Sequence, residues 1–308
     1  MFTTRRRFAA LVAAAVAGLT LTSGVSQAAP TEATGTPATT AGTAAAGVPL
    51  HVMSYNLRYA SATPPNSWPE RRPVMREQLK KARPALIGTQ EGLYSQLQDI
   101  QADLGSTYAS IGLGREGGSK GEFMMVFYDQ RRLQPLEYDH FWLSDTPDVV
   151  GSQTWGGCCP RMVTWVHFKD KATGQEFYAV NTHLEAYSAP ARAKSADLIL
   201  QRIAGFDQSL PVILTADYNE AAKPGLPVYD KLVTSGKFAD SWATAERRSA
   251  LYATFHGYKP LTPNGDRIDW ILTTPGLRVQ KASINTFSKN GQFPSDHLPV
   301  ESWITLTR

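Results

Sequence analysis

The sequence has too few cysteines for several classes of protein. Only two of its 308 residues are cysteines, and these two, Cys158 and Cys159, are neighbours in the segment GGCCPR. Two adjacent cysteines supply neither the disulfide framework of a small secreted scaffold nor the four ligands of a structural zinc site. Because a bond between adjacent residues closes a small, strained ring, we expect free or otherwise modified thiols here.

Long apolar runs are also absent after the first thirty residues, so no stable membrane insertion is expected. The N terminus differs, because three arginines, Arg5 to Arg7, precede the apolar stretch Ala9 to Leu21. Small residues then suit cleavage after Ala28, which predicts an export signal over residues 1–28 and a secreted, extracellular protein. Paired arginines followed by Phe8 favour the twin-arginine route, with an ordinary secretory signal as the alternative.

The chain lacks a large excess of charge of either sign. It has 31 basic and 27 acidic residues, and the export signal holds three of the basic ones and no acidic one, which leaves 28 against 27 and a net charge near +1. A broad basic surface for nucleic acid is therefore not expected, although a local groove could still be positive. Residues 29–47 are mainly Thr, Ala, Gly and Pro, and this composition predicts a disordered linker.

Residues 48–308 contain neither an internal repeat nor a linker and are predicted to form one domain. Helical periodicity occurs over 69–82, 93–104 and 191–206. Runs rich in β-branched and aromatic residues predict eight strands, at 50–56, 85–90, 123–128, 162–168, 176–182, 211–216, 267–272 and 299–306. Three helices cannot cover a single sheet of so many strands, so we predict an α/β (α+β) fold with a mixed two-sheet core and helices outside.

Polar side chains stand at or near the ends of these strands. They are Asn56, Glu91, His183, Asp217, Asn219, Asp269, Asp296 and His297. An α/β scaffold gathers a site from distant parts of the sequence in this way. Glu91 and Asp296 are hard oxygen ligands and Asn56 adds an amide oxygen, a set that suits Mg²⁺ or Mn²⁺. His183 and His297 are suited to proton transfer, because an acid behind an imidazole fixes its tautomer.

The order and spacing of six motifs resemble the endonuclease/exonuclease/phosphatase (DNase I-like) superfamily. The motifs, which span about Leu50 to Thr307, are SYNLR, TQEG, NTHL, ADYN, RIDWIL and SDHLPV. The segments WPERR, FWLSDTPD and CPR resemble an uncharacterised secreted bacterial branch of it. The resemblance implies a four-layer sandwich in which two mostly antiparallel mixed β-sheets pack face to face with helices outside.

The resemblance also implies a role for individual residues. Asn56, Glu91 and Asp296 become metal-site residues, and the catalytic set comprises His183, Asp217, Asn219, Asp269, His297 and Glu122. In that set Asp217 and Asn219 hold the attacking water, Asp269 orients His297, and Glu122 partners His183. The candidate phosphate or leaving-group contacts are Arg58, Arg161, Asn181 and His256. Arg71 is expected on a helix surface and Trp142 in the core.

The function implied is that of a secreted, divalent-metal-dependent phosphoesterase, most directly a phosphodiesterase, in which an activated water attacks phosphorus in line. Three substrates remain open: DNA or RNA for an extracellular endonuclease, a lipid head group for a sphingomyelinase or phospholipase C-like enzyme, and a small soluble phosphate ester. The near-neutral charge favours the last of these. The lipid alternative needs an exposed apolar insertion, for which the short loop Trp155-Gly156-Gly157 is the candidate. A non-catalytic binding protein is the remaining alternative, and a monomer is expected.

Overall fold

The computed structural model describes residues 47–306. The predicted export signal and residues 29–46 of the predicted linker lie outside this range. The elements in chain order are β1 (Leu50–Asn56), α1 (Trp68–Ala82), β2 (Leu86–Gln90), α2 (Tyr94–Leu104), β3 (Tyr108–Ile111), β4 (Val126–Asp129), β5 (Leu133–Trp142), β6 (Met162–Asp170), β7 (Glu176–His183), α3 (Ala189–Ile203), β8 (Val212–Asp217), α4 (Pro227–Tyr229), a π-helical turn (Asp230–Thr234), β9 (Ala239–Asp240), α5 (Ser241–Thr244), β10 (Asp269–Thr273), β11 (Arg278–Ile284) and β12 (Val300–Thr305). No helix within residues 47–306 is long and apolar enough to cross a membrane.

The strands form two six-stranded sheets. The first has the order β11-β12-β1-β2-β4-β3 and the second has the order β5-β6-β7-β8-β10-β9. Each sheet has one parallel pair at its centre, β1 with β2 and β7 with β8, and its other neighbours are antiparallel. The predicted pair of mixed, mostly antiparallel sheets is confirmed.

Apolar side chains from both sheets form one core between them. Val52 and Leu86 of the first sheet belong to the same buried cluster as Phe168 and Ile213 of the second. A separate buried cluster joins the other face of the first sheet to α1 and α2, and another joins the other face of the second sheet to α3. The order is therefore helix, sheet, sheet, helix, which confirms the four-layer sandwich.

The first helix begins where the sequence provides a strong start. The Ser67 backbone N–H donates to Glu70 Oε2 at 2.8 Å across the N terminus of the helix, and Pro69 stands in the first turn, where a missing N–H costs nothing. One face of this helix is buried through Arg71, Met75 and Gln78. The expectation that Arg71 lies on the helix surface is wrong, because its side chain is completely buried.

Candidate active site

The two parallel pairs end at the same edge of the sandwich. β1 ends at Asn56, and Glu91 follows the last residue of β2. In the second sheet β7 ends at His183 and β8 ends at Asp217, and the two residues are register partners. Asn56 and Asp217 meet across the sheets, because the Asn56 Nδ2 atom lies 2.9 Å from the Asp217 Oδ2 atom. This edge therefore gathers side chains from both sheets.

Antiparallel strands begin where the parallel pairs end. Asp269 opens β10 and is the register partner of Asp217. His297 lies three residues before β12, which pairs with β1 so that Val300 stands opposite Ser54. The His297 Nδ1 atom is 2.9 Å from the Asp269 Oδ2 atom. The structure thus places the predicted pair of His297 and Asp269 at the same edge.

Asp217 is the centre of the cluster. Its Oδ1 atom accepts a hydrogen bond from the Asn219 backbone N–H at 2.8 Å, and its Oδ2 atom accepts one from Asn56. The Nε2 atoms of His183 and His297 lie 3.5 and 3.8 Å from Asp217 Oδ2. Since Asp217 is 1 % exposed, one buried carboxylate connects both histidines to both amides.

Burial and neighbouring charge set opposite protonation tendencies in this cluster. Burial, followed by the negative charge of Asp269, raises the pKa of Asp217 to about 7. Burial lowers the pKa of His297, but the carboxylates of Asp269, Asp217 and Asp296 outweigh that effect and raise it to about 10. At neutral pH His297 is therefore an imidazolium, whereas Asp217 is able to accept or release a proton.

His183 has a different state. Burial, with Arg161 as the next contributor, holds the pKa of His183 well below its usual value, so the ring is neutral. Its Nε2 atom lies 2.9 Å from the Asn219 amide nitrogen, which can only donate, and the ring proton therefore belongs on Nδ1. Asn219 holds this position with a positive φ of 50°, a conformation that asparagine tolerates better than most residues.

The donor set at Glu91 fits a hard divalent cation. Ligand atoms of Glu91, His183 and Asp217 lie within 4.8 Å of one another. One amide, Asn56 Nδ2, lies 2.9 Å from both Glu91 Oε1 and Asp217 Oδ2, so two carboxylates approach each other. Carboxylate oxygens are ligands that Mg²⁺ and Mn²⁺ prefer. The Asn56 amide oxygen accepts from the Arg58 backbone N–H at 2.9 Å, so Asn56 orients the two carboxylates through its nitrogen. The third predicted metal residue, Asp296, stands outside that group and forms an ion pair with Arg58 at 3.9 Å.

A cleft of about 450 Å³ opens over this cluster. Two arginines, Arg115 and Arg161, contribute to its wall. Sequence motifs pointed to Arg161 but missed Arg115, although Arg115 lies in the glycine-rich segment GLGREGG. Arg115 Nη1 donates to Glu122 Oε2 at 2.6 Å. The predicted pairing of Glu122 with His183 is therefore wrong, because Glu122 is held by Arg115 and His183 Nδ1 has no hydrogen-bond partner among the described residues.

Two predicted substrate contacts lie away from the cleft. Asn181 is completely buried between the sheets, where its amide donates to the Thr89 carbonyl at 2.8 Å. This contact corrects its assignment, because Asn181 joins the sheets and does not face a substrate. His256 is buried beneath Asp296, to whose carbonyl it donates its backbone N–H at 2.9 Å. These contacts indicate that His256 holds Asp296 in place.

Buried Arg71 connects the two loops at this side of the site. Its guanidinium donates to the carbonyls of Leu57, Arg58 and Tyr59 in the loop after β1, and to that of Pro294 shortly before Asp296. The guanidinium of Arg58 stacks 4.7 Å above the ring of Tyr258. Arg71 could have been recognised from its helical spacing, since it shares the face of Met75 and Gln78.

The cysteines differ from the expectation. Cys158 and Cys159 are joined by a disulfide, and neither is free. The preceding residues Gly156 and Gly157 both have positive φ, so the chain turns sharply there and brings both cysteines into the cleft wall. The Cys158 backbone N–H donates to Glu185 Oε1 at 3.4 Å, which anchors the turn beside Arg161.

Three aromatic side chains at the cleft were also missed from the sequence. Tyr59, Tyr187 and Phe255 all contribute to its lining, and they are 48 %, 84 % and 50 % exposed. Phe255 packs 4.9 Å from the ring of His297. None of the three stands in an apolar periodic run, so only the folded chain shows that they share one rim.

Comparison with known proteins agrees with this geometry. Residues 53–297 match the endonuclease/exonuclease/phosphatase family. No curated protein matches the chain. Solved structures do match it, among them an endonuclease/exonuclease/phosphatase family protein from Bacteroides thetaiotaomicron, which is 34 % identical with a TM-score of 0.80 and covers 85 % of this chain and 99 % of its own.

Two further structures have similar coverage. A mannosyl-6-phosphatase from Bacteroides thetaiotaomicron is 35 % identical, covers 83 % of this chain and 99 % of its own, and has a TM-score of 0.76. An endonuclease/exonuclease/phosphatase from Bacteroides vulgatus is 32 % identical and has a TM-score of 0.79. The match covers 84 % of this chain and 99 % of the other protein. The similarity therefore extends over nearly the full length of each of these proteins.

Proposed function

The chain belongs to the endonuclease/exonuclease/phosphatase family of phosphoester hydrolases, and on this premise we propose that it is an exported, divalent-metal-dependent enzyme that cleaves a small soluble phosphate ester. One observation carries the proposal. Strand ends from both sheets bring two buried aspartates, two amides and two histidines into one cluster beneath the cleft, with Asp217 at the centre and Asp269 behind His297. The export signal predicted over residues 1–28 supports action outside the cell.

The residues divide the chemistry according to their charges. Asp217 and the Asn219 amide hold a water, and Asp217 accepts its proton as the water attacks phosphorus. His297, an imidazolium oriented by Asp269, stabilises charge on the phosphoryl group or protonates the leaving oxygen. Glu91, with Asp296 as a further oxygen donor, would hold Mg²⁺ or Mn²⁺, and Asn56 would orient the Glu91 carboxylate. A bound ion would neutralise charge developing on the phosphoryl oxygens.

Several features support a small substrate over a polymer or a lipid. The cleft measures about 450 Å³, and the chain after the export signal has a net charge near +1, which gives little general attraction for a phosphate backbone. Trp155, the candidate for a lipid-facing insertion, is half-buried and donates its indole N–H to Asp145 at 2.7 Å. Nucleic acid and lipid substrates should be assayed beside the small esters.

The sequence favours a diester, but a phosphomonoester is a second candidate. It is supported by the 35 % identity to a protein described as a mannosyl-6-phosphatase. Initial rates of residues 29–308 on DNA, RNA, sphingomyelin, a glycerophosphodiester and hexose phosphates, each with added magnesium, would rank these substrates directly. Absence of hydrolysis across the whole panel would argue for the non-catalytic alternative.

Metal removal is expected to abolish turnover reversibly. Without a cation, the carboxylates of Glu91 and Asp217 repel the phosphoryl group, so dialysis against a chelator should lower the rate at least 100-fold, and Mg²⁺ or Mn²⁺ should restore it. Thermal melting monitored with increasing Mn²⁺ gives a readout independent of activity, since a bound ion raises the melting temperature. Full activity in excess chelator would contradict the metal assignment.

The rate is expected to depend on pH at both ends. Asp217 must be unprotonated to accept a proton, and its pKa of about 7 in the metal-free site predicts that kcat/KM rises as pH increases through that region. A bound cation stabilises the carboxylate and moves this limb to lower pH. On the alkaline side the rate falls as His297, with a pKa of about 10, loses its proton. Activity that stays constant down to about pH 4 would contradict the role of Asp217.

A further inference from the structure

Two guanidinium groups in the cleft wall each have a nitrogen without a partner. Arg115 is paired with Glu122 through Nη1 at 2.6 Å, and Arg161 with Glu185 through Nε at 3.4 Å. Arg115 Nε and Arg161 Nη1 form no hydrogen bond with any described residue, although both atoms are buried. Buried donors without partners are costly, so an oxyanion that reaches them would be bound favourably.

A third such nitrogen belongs to the same wall. The Nδ1 atom of His183 carries the ring proton, because Nε2 faces the Asn219 amide nitrogen, and it is buried without a partner among the described residues. Arg115, Arg161 and His183 all line the same cleft, so the three groups belong to one wall. Since Arg161 is 93 % and His183 96 % buried, these donors are built into the wall.

The number and charge of these donors suit a terminal phosphate better than a bridging one. A phosphomonoester presents three non-bridging oxygens and up to two negative charges, whereas a diester presents two oxygens and one charge. Planar guanidinium groups with free N–H donors match phosphate oxygens well. The carboxylates of Glu122 and Glu185 hold the two arginines in place without occupying those donors.

The rim of the cleft indicates what the phosphate is attached to. Tyr59, Tyr187 and Phe255 leave much of their aromatic surface exposed around a volume of about 450 Å³. Aromatic faces at the mouth of a small polar cleft are suited to contact with one flat or chair-shaped ring. A single ring with one phosphate fits this combination of a charged wall and an aromatic rim.

We propose that Arg115, together with Arg161, selects the terminal phosphate of a monoester whose single-ring alcohol lies against Phe255 and Tyr187. This inference rests on the proposed metal-dependent phosphoesterase and replaces the diester expected from the sequence. Water attacks phosphorus as the bond to the alcohol oxygen breaks, Asp217 takes a proton from the water, and His297 gives one to the departing alcohol. The products are orthophosphate and the free ring alcohol.

The test compares one monoester with one diester of the same leaving group. We would measure kcat/KM of residues 29–308 with magnesium on p-nitrophenyl phosphate and bis(p-nitrophenyl) phosphate, for the wild type, Arg115→Lys and Arg278→Lys. Lysine keeps the charge that pairs with Glu122 but removes the Nε–H donor. We expect the wild type to prefer the monoester, and Arg115→Lys to lower that rate roughly tenfold while sparing the diester. Arg278 is an exposed arginine paired with Glu246, so its variant is the matched control.

Binding of inorganic phosphate provides a second readout. Calorimetric titration should show roughly tenfold weaker phosphate binding in Arg115→Lys than in the wild type, with or without magnesium. A wild type that prefers the diester, or an Arg115→Lys variant with unchanged phosphate affinity, would overturn this inference and leave the proposed function standing. A wild type inactive on both esters and on every other substrate of the panel would instead overturn the proposed function.

Rates on two further substrates would decide which kind of ring is bound. Hexose 6-phosphate and a nucleoside 5′-monophosphate carry the same terminal phosphate on different rings. Tyr187→Ser should raise KM for the preferred one and leave kcat nearly unchanged, because Tyr187 touches the ring and not the reacting atoms. Equal KM values for Tyr187→Ser and the wild type on both compounds would remove the ring contact from the proposal.

Discussion

Asp217→Asn is expected to lower kcat by about three orders of magnitude while leaving the protein folded. The amide cannot accept a proton from water, and it has one acceptor where Asp217 uses two, for Asn56 and the Asn219 backbone N–H. The melting temperature should change by no more than about 4 °C, because a neutral side chain also avoids burying a charge. Rates on a purified substrate and a thermal melt measure both effects.

The matched control is another buried carboxylate. Asp240 is 1 % exposed, like Asp217, but it pairs with Arg267 at 2.6 Å away from the cleft. Asp240→Asn should therefore lower the melting temperature and preserve turnover per folded molecule, the reverse of Asp217→Asn. If Asp217→Asn retains turnover within tenfold of the wild type, Asp217 has no chemical role.

Glu91→Gln is expected to weaken metal binding and activity together, each by roughly 100-fold. Glutamine can still accept the hydrogen bond from Asn56 Nδ2 through Oε1, so the change removes the charge and preserves the local packing. Glu91 also has a positive φ of 63°, a conformation that fixes the position of its side chain at the end of β2. Calorimetric titration with Mn²⁺ and rates over a range of magnesium concentrations measure the two losses.

The effect should be partly reversed at high magnesium concentration, because the remaining oxygen donors still bind the ion weakly. Glu301→Gln is a suitable control, since Glu301 is a glutamate on β12 that accepts a hydrogen bond from Asn285 at 2.7 Å, away from the cleft. An unchanged Mn²⁺ affinity in Glu91→Gln would show that the metal is held elsewhere.

The strands that sequence predicted and those it missed differ in their position in the sheets. All eight predicted strands are interior ones, whereas the four missed strands, β3, β5, β9 and β11, are the four sheet edges. An interior strand of this sandwich is covered on both faces, so it appears as a continuous apolar run. β5 instead has a mostly half-buried pattern and contains Pro135, which a sheet tolerates at an edge or bulge.

The residues of the candidate site also differ in how far the sequence could identify them. Sequence alone identified Asn56, Glu91, His183, Asp217 and His297 as residues at strand ends, because short motifs surround each of them and such ends converge in an α/β fold.

Which side chains pair with one another was decided only by the tertiary structure. Glu122 bonds to Arg115 instead of His183, and Asn181 lies in the core between the sheets. Arg71 is on the buried face of its helix, where it donates to loop carbonyls. The physical reason is that a strand is recognised from the order of apolar and polar residues along it, and this order is visible in the sequence. Partner choice depends on atoms that come within about 3 Å only after both sheets have packed together.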